Sequence, residues 1–343
     1  MVRNRKSYKL QFAVLTAVFI AALLASVFLG QYEVSFADFF KALWAKMPWT
    51  DIPRTWPAAV ENVLFEIRLP RIACAVLIGA ALSLAGVCYQ GMFRNPMVSP
   101  DILGASTGAG FGASLAILSG AGYFVITGAS FVTGMFAVAL AYVISRFSKT
   151  NETLAMVLGG MVISSLFSAG TSFIKLVADT EETLPAITYW LMGSLSSIKV
   201  ENLTFILIPM AIGMIPLFIL RWRLNLLTVE ENTSRSIGIN VTVLRLIVVI
   251  CATLLTAASV SVSGMIGWVG LVIPHFCRII FGYDYRRLIP ASALFGAAFL
   301  LIVDDVARLA TTQELPLGIL TSFIGCPLFL YLLFTGGGKK ARL

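Results

Sequence analysis

One histidine, His275, stands in the 343 residues, and the five cysteines (Cys74, Cys88, Cys251, Cys277, Cys326) include no C-x-x-C pair. A disulfide framework and a metal site built from thiolates or imidazoles are therefore excluded, and any metal this chain handles travels inside a chelate whose coordination is already filled. Charge is equally scarce: 12% of residues are charged against 58% hydrophobic, with a mean hydropathy of +0.90. That is too little polar surface to coat a soluble globule of this size. No G-x-x-x-x-G-K-[ST] phosphate loop occurs, and the Gly336-Gly337-Gly338-Lys339-Lys340 tail lacks its spacing, so ATP hydrolysis is expected on other chains.

What is present is a succession of apolar runs, each about 20 residues and able to cross a hydrocarbon core of roughly 30 Å. They fall near residues 11–30, 63–88, 101–119, 122–146, 153–177, 200–220, 241–261, 264–281, 289–310 and 315–334. The 264–281 run is short of apolar length in its second half. The runs are continuous rather than alternating, which predicts helices and not barrel strands. The expectation is an all-α polytopic membrane protein of about ten transmembrane helices, forming one domain over residues 1–343.

An even number of spans puts both termini on one side. With the termini inside, most of the 25 Lys and Arg residues fall on the inner segments, as the positive-inside rule requires. The net charge of +8 then reads as topology and contact with anionic lipid, not as nucleic-acid binding. The first run follows basic residues but has the length of a span and no small-x-small cleavage site, so it is expected to be retained. Two connections are long. The outer one, Gln31 to about Asn62, carries Trp44, Trp49 and Trp56 and suits an interfacial aromatic belt. The inner one, residues 224–240, mixes apolar and charged residues as a short amphipathic helix pair would, docked on a cytoplasmic partner or lying on the headgroups.

Several motifs occur in order along nearly the whole chain. They are R-L-P-R at Arg68 to Arg71, the elbow with Gln90, Asn95-Pro96 and Pro100, the Leu103-Gly104 to Gly108-Ala109-Gly110 run, and Tyr189-Trp190-Leu191-Met192-Gly193. G-M-I-G-W-V-G-L-V-I-P-H-F-C-R (264–278), D-D-V-A-R (304–308) and E-L-P-L-G-I-L-T-S-F-I-G-C-P-L-F (314–329) follow. On these motifs the chain resembles the FecCD-type permeases of ABC importers.

The resemblance implies the cobalamin/siderophore type of ABC importer permease fold and a place in the bacterial cytoplasmic membrane, with both termini cytoplasmic. It implies a second permease subunit, identical or homologous, and between the two a path for a ferric siderophore, haem or cobalamin, with ferric siderophore the first expectation. An extracytoplasmic substrate-binding protein would deliver the cargo. Two cytoplasmic ATPase subunits would use the ATP, leaving this chain with no cofactor of its own.

The same resemblance assigns site residues. Arg68, Arg71 and Arg308 would receive carboxylates of the binding protein, for which guanidinium forks are suited. Snorkelling is the plainer alternative, and Asp304 and Asp305 could neutralise Arg308 within its own helix. Asn95, Pro96 and Met97 in the elbow, with Asn151 and Thr153, would form the cytoplasmic gate. The two prolines Pro96 and Pro100 forbid continuous helix there, so a plain tight turn is also open. Leu227, Glu230, Arg235 and Gly238 would couple to the ATPase. Ser106, Thr107, Ser165, Ser168 and Ser172 are small, weakly polar candidates for the pathway, although such residues also serve helix packing. His275 with Arg278 could touch an anion or simply pack.

Two other classes use some of the same residues. Gly104 to Gly108 satisfies G-x-S-x-G around Ser106, which with His275 suggests an intramembrane serine protease, but helical runs flank it and a Gly104, Gly108, Gly112 ladder for close helix approach explains the same letters. Asp304, Asp305, Glu314 and Arg245 could relay ions in a secondary transporter, although they sit near span ends.

Overall fold

Without water to bond to, backbone inside a membrane must satisfy itself, and helices do so within one segment. A computed structural model describes residues 5–47, 49, 53–148, 152–228, 240–311 and 313–336, and among these residues there are thirteen α-helices and no strand. In chain order they are α1 (Arg5–Phe28), α2 (Phe36–Ala45), α3 (Ala58–Glu61), α4 (Leu69–Met92), α5 (Ala105–Leu118), α6 (Tyr123–Phe147) and α7 (Glu152–Val177). Then come α8 (Thr183–Met192), α9 (Val200–Leu220), α10 (Val241–Ser263), α11 (Val269–Phe281), α12 (Tyr285–Leu309) and α13 (Leu317–Gly336).

Each of the ten expected spans is represented by an apolar helix. Seven are long and apolar enough to cross a membrane; the three at α5, α11 and α13 are shorter. Two of these differ from expectation in where the helix begins. The run at 101–119 opens with a 3-10 turn, Pro100–Leu103, and Gly104 in the left-handed region at φ 88° before α5 starts. The run at 264–281 is helical in its second half, the half that looked too short, and irregular from Gly264 to Trp268. Trp268 itself takes φ 68°. Such backbone is tolerated at depth only against protein or a water-filled cavity.

The segment before α4 also departs from regular winding. Residues Asn62–Arg68 form a π-helix, closed by the Leu69 N–H on the Leu64 carbonyl. Pro70 follows immediately and offers no N–H to the turn before it, which favours looser winding upstream.

At the centre lies α4. In the 35-residue run Ala58–Met92 that contains it, 78% of the most apolar window is buried, against 17% for α1 and 22% for α9. Its small residues let neighbours approach closely. A Cβ on Gly79 would sit 2.3 Å from the carbonyl oxygen of Gly296 in α12, and one on Gly86 would sit 1.8 Å from that of Gly270 in α11. In the second packing unit, Gly108 and Gly112 of α5 press on α6, where a Cβ would meet Ala137 at 2.6 Å and Thr133 Oγ1 at 2.0 Å. Gly104 was expected in that ladder; its left-handed φ makes it instead the turn that starts α5.

Outside the bundle, α2 packs beside the end where α1 stops and the run into α4 begins. Ala42 on its inner face packs with Val34, Trp56, Val60 and Leu64. Phe36, Phe40 and Trp44 on the other face are exposed, at the spacing of one helical stripe, as an interfacial helix requires.

The contact geometry of α4 yields a paired expectation. Gly86→Ala must push α4 and α11 apart and lowers stability by about 1–3 kcal/mol. Gly128→Ala, where a Cβ meets nothing within 4 Å, leaves the melting temperature of the purified protein unchanged. Equal melting temperatures for both variants and the parent would contradict this packing.

Candidate functional site

Charge at the end of the bundle where α1 ends and α4 begins, the end expected to face outward, is gathered into a buried network. Arg71, near the start of α4, donates from Nε and Nη2 to Asp304 of α12 at 3.0 and 2.8 Å, and from Nη1 to both oxygens of Glu314 at 2.8 Å. Arg308 lies 3.4 Å from Asp304 and bonds Asp305, and Ser26 of α1 donates to Asp305 at 2.7 Å. Arg68 donates to the carbonyls of Val27, at 2.9 Å, and Tyr32, while Arg308 reaches those of Leu29 and Ser26. The last carbonyls of α1, which have no partner inside the helix, are thereby met by two guanidiniums, the favoured charge at that end.

Three cations and three carboxylates balance here, so the arginines expected to receive a binding protein's carboxylates already hold partners within the chain. Arg68 and Arg71 are 3% exposed and Arg308 is 6% exposed. Each bonds partners within the chain, although Arg308 Nε makes no hydrogen bond and only lies near Asp304, so no free fork faces outward. The intrahelical pairing of Arg308 with Asp304 and Asp305 is the reading that the structure realises.

At the opposite end, expected to face inward, the elbow is an exposed turn. Arg94 takes φ 49°, and the Asn95 side chain accepts from the Met97 N–H at 2.9 Å. Asn95, Pro96 and Met97 face the surface while Val98, Pro100 and Leu103 are buried. Gln90 Nε2 holds the turn by donating to the carbonyls of Val98 and Gly270, at 3.1 and 3.3 Å. Arg94 Nε donates to the Leu227 carbonyl at 3.0 Å, joining the elbow to the 3-10 turn Arg223–Thr228. In that turn Asn225 accepts from the Tyr285 N–H at 3.0 Å and donates to Asp284 at 3.1 Å, reaching the start of α12.

The second inner turn ends at Glu152, which pairs with Arg146 of α6 at 2.9 Å and lies 3.7 Å from Arg245 of α10; Thr153 is half-buried beside it. Asn151, Glu230, Arg235 and Gly238 lie outside the described residues.

A cavity of about 660 Å³ opens where three of the sequence motifs meet. Leu191 and Met192 of α8, Met265 and Gly267 of the irregular link, and Gly318, Ile319, Ser322, Phe323, Cys326 and Pro327 of α13 line it. None of these side chains is charged. The link is stitched to its neighbours by Ser194 N–H on the Ser263 carbonyl at 2.7 Å and Leu317 N–H on the Gly193 carbonyl at 2.8 Å. Gly193, Gly264 and Gly318 make the junction possible, since a Cβ on any of them would lie 2.2 to 2.5 Å from a facing carbonyl oxygen.

The serine candidates do not line this cavity. Ser106 is buried and bonds Asp101 across the elbow. Thr107 donates to the Gly104 carbonyl at 3.1 Å. Ser165, Ser168 and Ser172 lie on the exposed side of α7, and the hydroxyls of Ser165 and Ser172 return to carbonyls one turn back. Ser106 has no imidazole partner, and no strand precedes it among the described residues, which removes the protease constellation. On α11, the buried Nδ1 of His275 and Nη1 of Arg278 have no hydrogen-bond partner among the described residues. The cavity itself went unnoticed in the sequence. Its signal was the glycine inside each of the motifs Y-W-L-M-G, G-M-I-G and E-L-P-L-G.

Comparison with known proteins bears on this arrangement. The model of the FecCD transport family matches residues 18–335. A molybdate import system permease protein of Haemophilus influenzae is 39% identical over 326 residues, covering 94% of this chain and 96% of the relative. A Helicobacter pylori protein described as an iron chelatin transport system permease is 43% identical over 281 residues, covering 82% and 85%. A solved structure, described as an inward-facing ABC transporter of metal-chelate type, superposes with a TM-score of 0.85 at 38% identity, covering 95% of this chain and 99% of the other.

The outer network makes an unequal prediction. Arg71→Met or Asp304→Asn strands a buried charge and lowers stability by about 3–5 kcal/mol. Glu314, whose side chain is 26% exposed, loses a partly solvated pair in Glu314→Gln, with a loss of about 1 kcal/mol or less. Thermal melting of the detergent-purified variants reads the difference, and equal losses for Asp304→Asn and Glu314→Gln would refute it.

Proposed function

The chain belongs to the FecCD transport family of ABC importer permeases, and on that premise we propose that it carries a metal chelate, a ferric siderophore first, inward across the bacterial cytoplasmic membrane. The observation that carries the cargo class is the uncharged cavity between α8, the 264–268 link and α13. A chelate whose ligand shell masks the metal's charge can pass such a surface, because no buried fixed charge has to be stripped of water on the protein side. Haem and cobalamin share that property. A naked oxyanion, the cargo in the description of the Haemophilus relative, would need hydrogen-bond donors or cations that this cavity's side chains lack apart from Ser322.

The partners follow from the family. A second permease subunit faces the open side of the cavity and completes the path. Two cytoplasmic ATPase subunits bear on the 224–240 segment, and both termini lie on their side of the membrane. A substrate-binding protein docks on the outer surface, through groups other than the buried Arg68, Arg71 and Arg308.

Motion is transmitted by the contacts of Arg223–Thr228. Displacing that turn pulls on the elbow through Arg94 and Leu227, and on α12 through Asn225 and Asp284. The elbow in turn abuts α7, where a Cβ on Gly160 would lie 2.3 Å from the Ile102 carbonyl. Alternating access then consists of these inner turns shifting against the rigid α4 unit while the cavity opens to one side or the other.

Proteoliposomes holding this chain with its ATPase and binding protein test the reading. ATP-dependent uptake of a ferric siderophore, haem or cobalamin, but not molybdate, is expected. Arg94→Ala removes a charge-assisted bond worth about 1.5–3 kcal/mol and is expected to cut uptake about tenfold while ATP hydrolysis continues. Uptake of molybdate alone, or of any cargo without ATP, would overturn the proposal.

A further inference from the structure

A second cavity, of about 480 Å³, lies between the first turns of α1 and α12, far along the chain from the cargo cavity, and is lined by Tyr8, Lys9, Phe12 and Arg287. The Arg287 guanidinium carbon stands 3.7 Å from the centre of the Tyr8 ring, a cation–π contact that holds the fork in place. Phe12 packs on Phe281 with ring centres 4.6 Å apart, giving the cavity an aromatic wall. Neither Lys9 nor Arg287 has a carboxylate partner among the described residues, and the chain has no Asp or Glu before Glu33.

Asp284 is the acidic group nearest in sequence on α12. Its Oδ1 accepts from the Asn225 amide at 3.1 Å and from the Arg286 N–H at 3.0 Å, which turns that oxygen toward the Arg223–Thr228 turn. Arg286 itself lies over Trp222, with 5.9 Å to the ring centre, rather than in the cavity.

We propose that this cavity binds the phosphodiester headgroup of an anionic membrane phospholipid at the cytoplasmic surface. A guanidinium fork and an ammonium converging on one opening match a phosphate, the fork taking two oxygens and the ammonium acting as a point charge. Cations flanked by tyrosine and phenylalanine at the end of a membrane span sit at headgroup depth. The occupant is a lipid rather than a free anion because the face of α1 that carries Lys9 stays uncovered toward the membrane: Ala13, Thr16 and Ile20 follow Lys9 at i+4, i+7 and i+11 and are exposed, where acyl chains would lie. The bound lipid would pin the first turn of α1 against α12.

The test is native mass spectrometry of the purified full chain in neutral detergent, titrated with dioleoylphosphatidylglycerol, dioleoylphosphatidylcholine or glycerol 3-phosphate. Retention of phosphatidylglycerol over the other two is expected. Arg287→Gln and Lys9→Gln are each expected to weaken it about fivefold, and the pair together about 25-fold. Arg286→Gln, one residue away, is expected to leave it unchanged. Equal retention of phosphatidylcholine, binding of glycerol 3-phosphate as tight as that of the lipid, or undiminished phosphatidylglycerol on the Lys9→Gln and Arg287→Gln proteins would overturn the site. Lys9 is exposed, so Lys9→Gln decides the matter even where Arg287→Gln fails to fold.

Discussion

Arg71 is buried against two carboxylates from distant parts of the chain, Asp304 fully buried and Glu314 partly solvated, and the arrangement of this end of the bundle depends above all on the pair with Asp304. Asp304 fixes the register of α12 against α4, and Glu314 fixes the segment that leads into α13. An unpaired guanidinium in this position would cost several kcal/mol in an apolar surrounding. The network therefore behaves as a single unit with Arg68, Arg308 and the end of α1. Because Glu314 enters the chain just before Leu317 bonds Gly193, the same clamp places α13 beside α8 and shapes the cargo cavity.

The molecule thus divides by packing rather than by sequence order. On one side, α4 with α10, α11 and α12 is dense, glycine-notched and held by the outer charges. On the other, α7 and α9 leave most of their surface uncovered, with 33% and 22% of their apolar windows buried. The cavity lies between α8, the 264–268 link and α13, where the backbone leaves regular helix. Backbone that is neither helix nor extended can change conformation without breaking a long hydrogen-bond ladder, which suits a surface that must alternate between two exposures.

Much of this architecture was legible in the apolar runs, since span length is set by bilayer thickness and leaves its mark on composition directly. The starts of α5 and α11 were not, because Gly104 and the Gly264 to Trp268 link read as apolar as helix does; only tertiary contacts reveal the turn. The internal partners of Arg68 and Arg71 were hidden for a related reason. Arg71 and Asp304 are 233 positions apart, and no periodicity connects them, whereas the local pairing of Arg308 with Asp304 and Asp305 was visible at helical spacing. The serine candidates for the pathway carry an ambiguous signal, because a hydroxyl in an apolar helix can bond its own backbone, as Ser165 and Ser172 do. The cavity lining is instead built from methionine, glycine, leucine and a lone cysteine, residues with no chemical signature until they meet.

Cys326 offers the most direct test of the central claim, that the cavity between α8 and α13 faces the cargo and not lipid. It is partly exposed in that cavity, while the other four cysteines are buried. In the assembled transporter, a water-soluble maleimide is predicted to modify Cys326 alone, and bound cargo is predicted to slow the reaction. Modification only by lipid-soluble reagents, at a rate indifferent to cargo, would place the cavity against the bilayer and contradict the account.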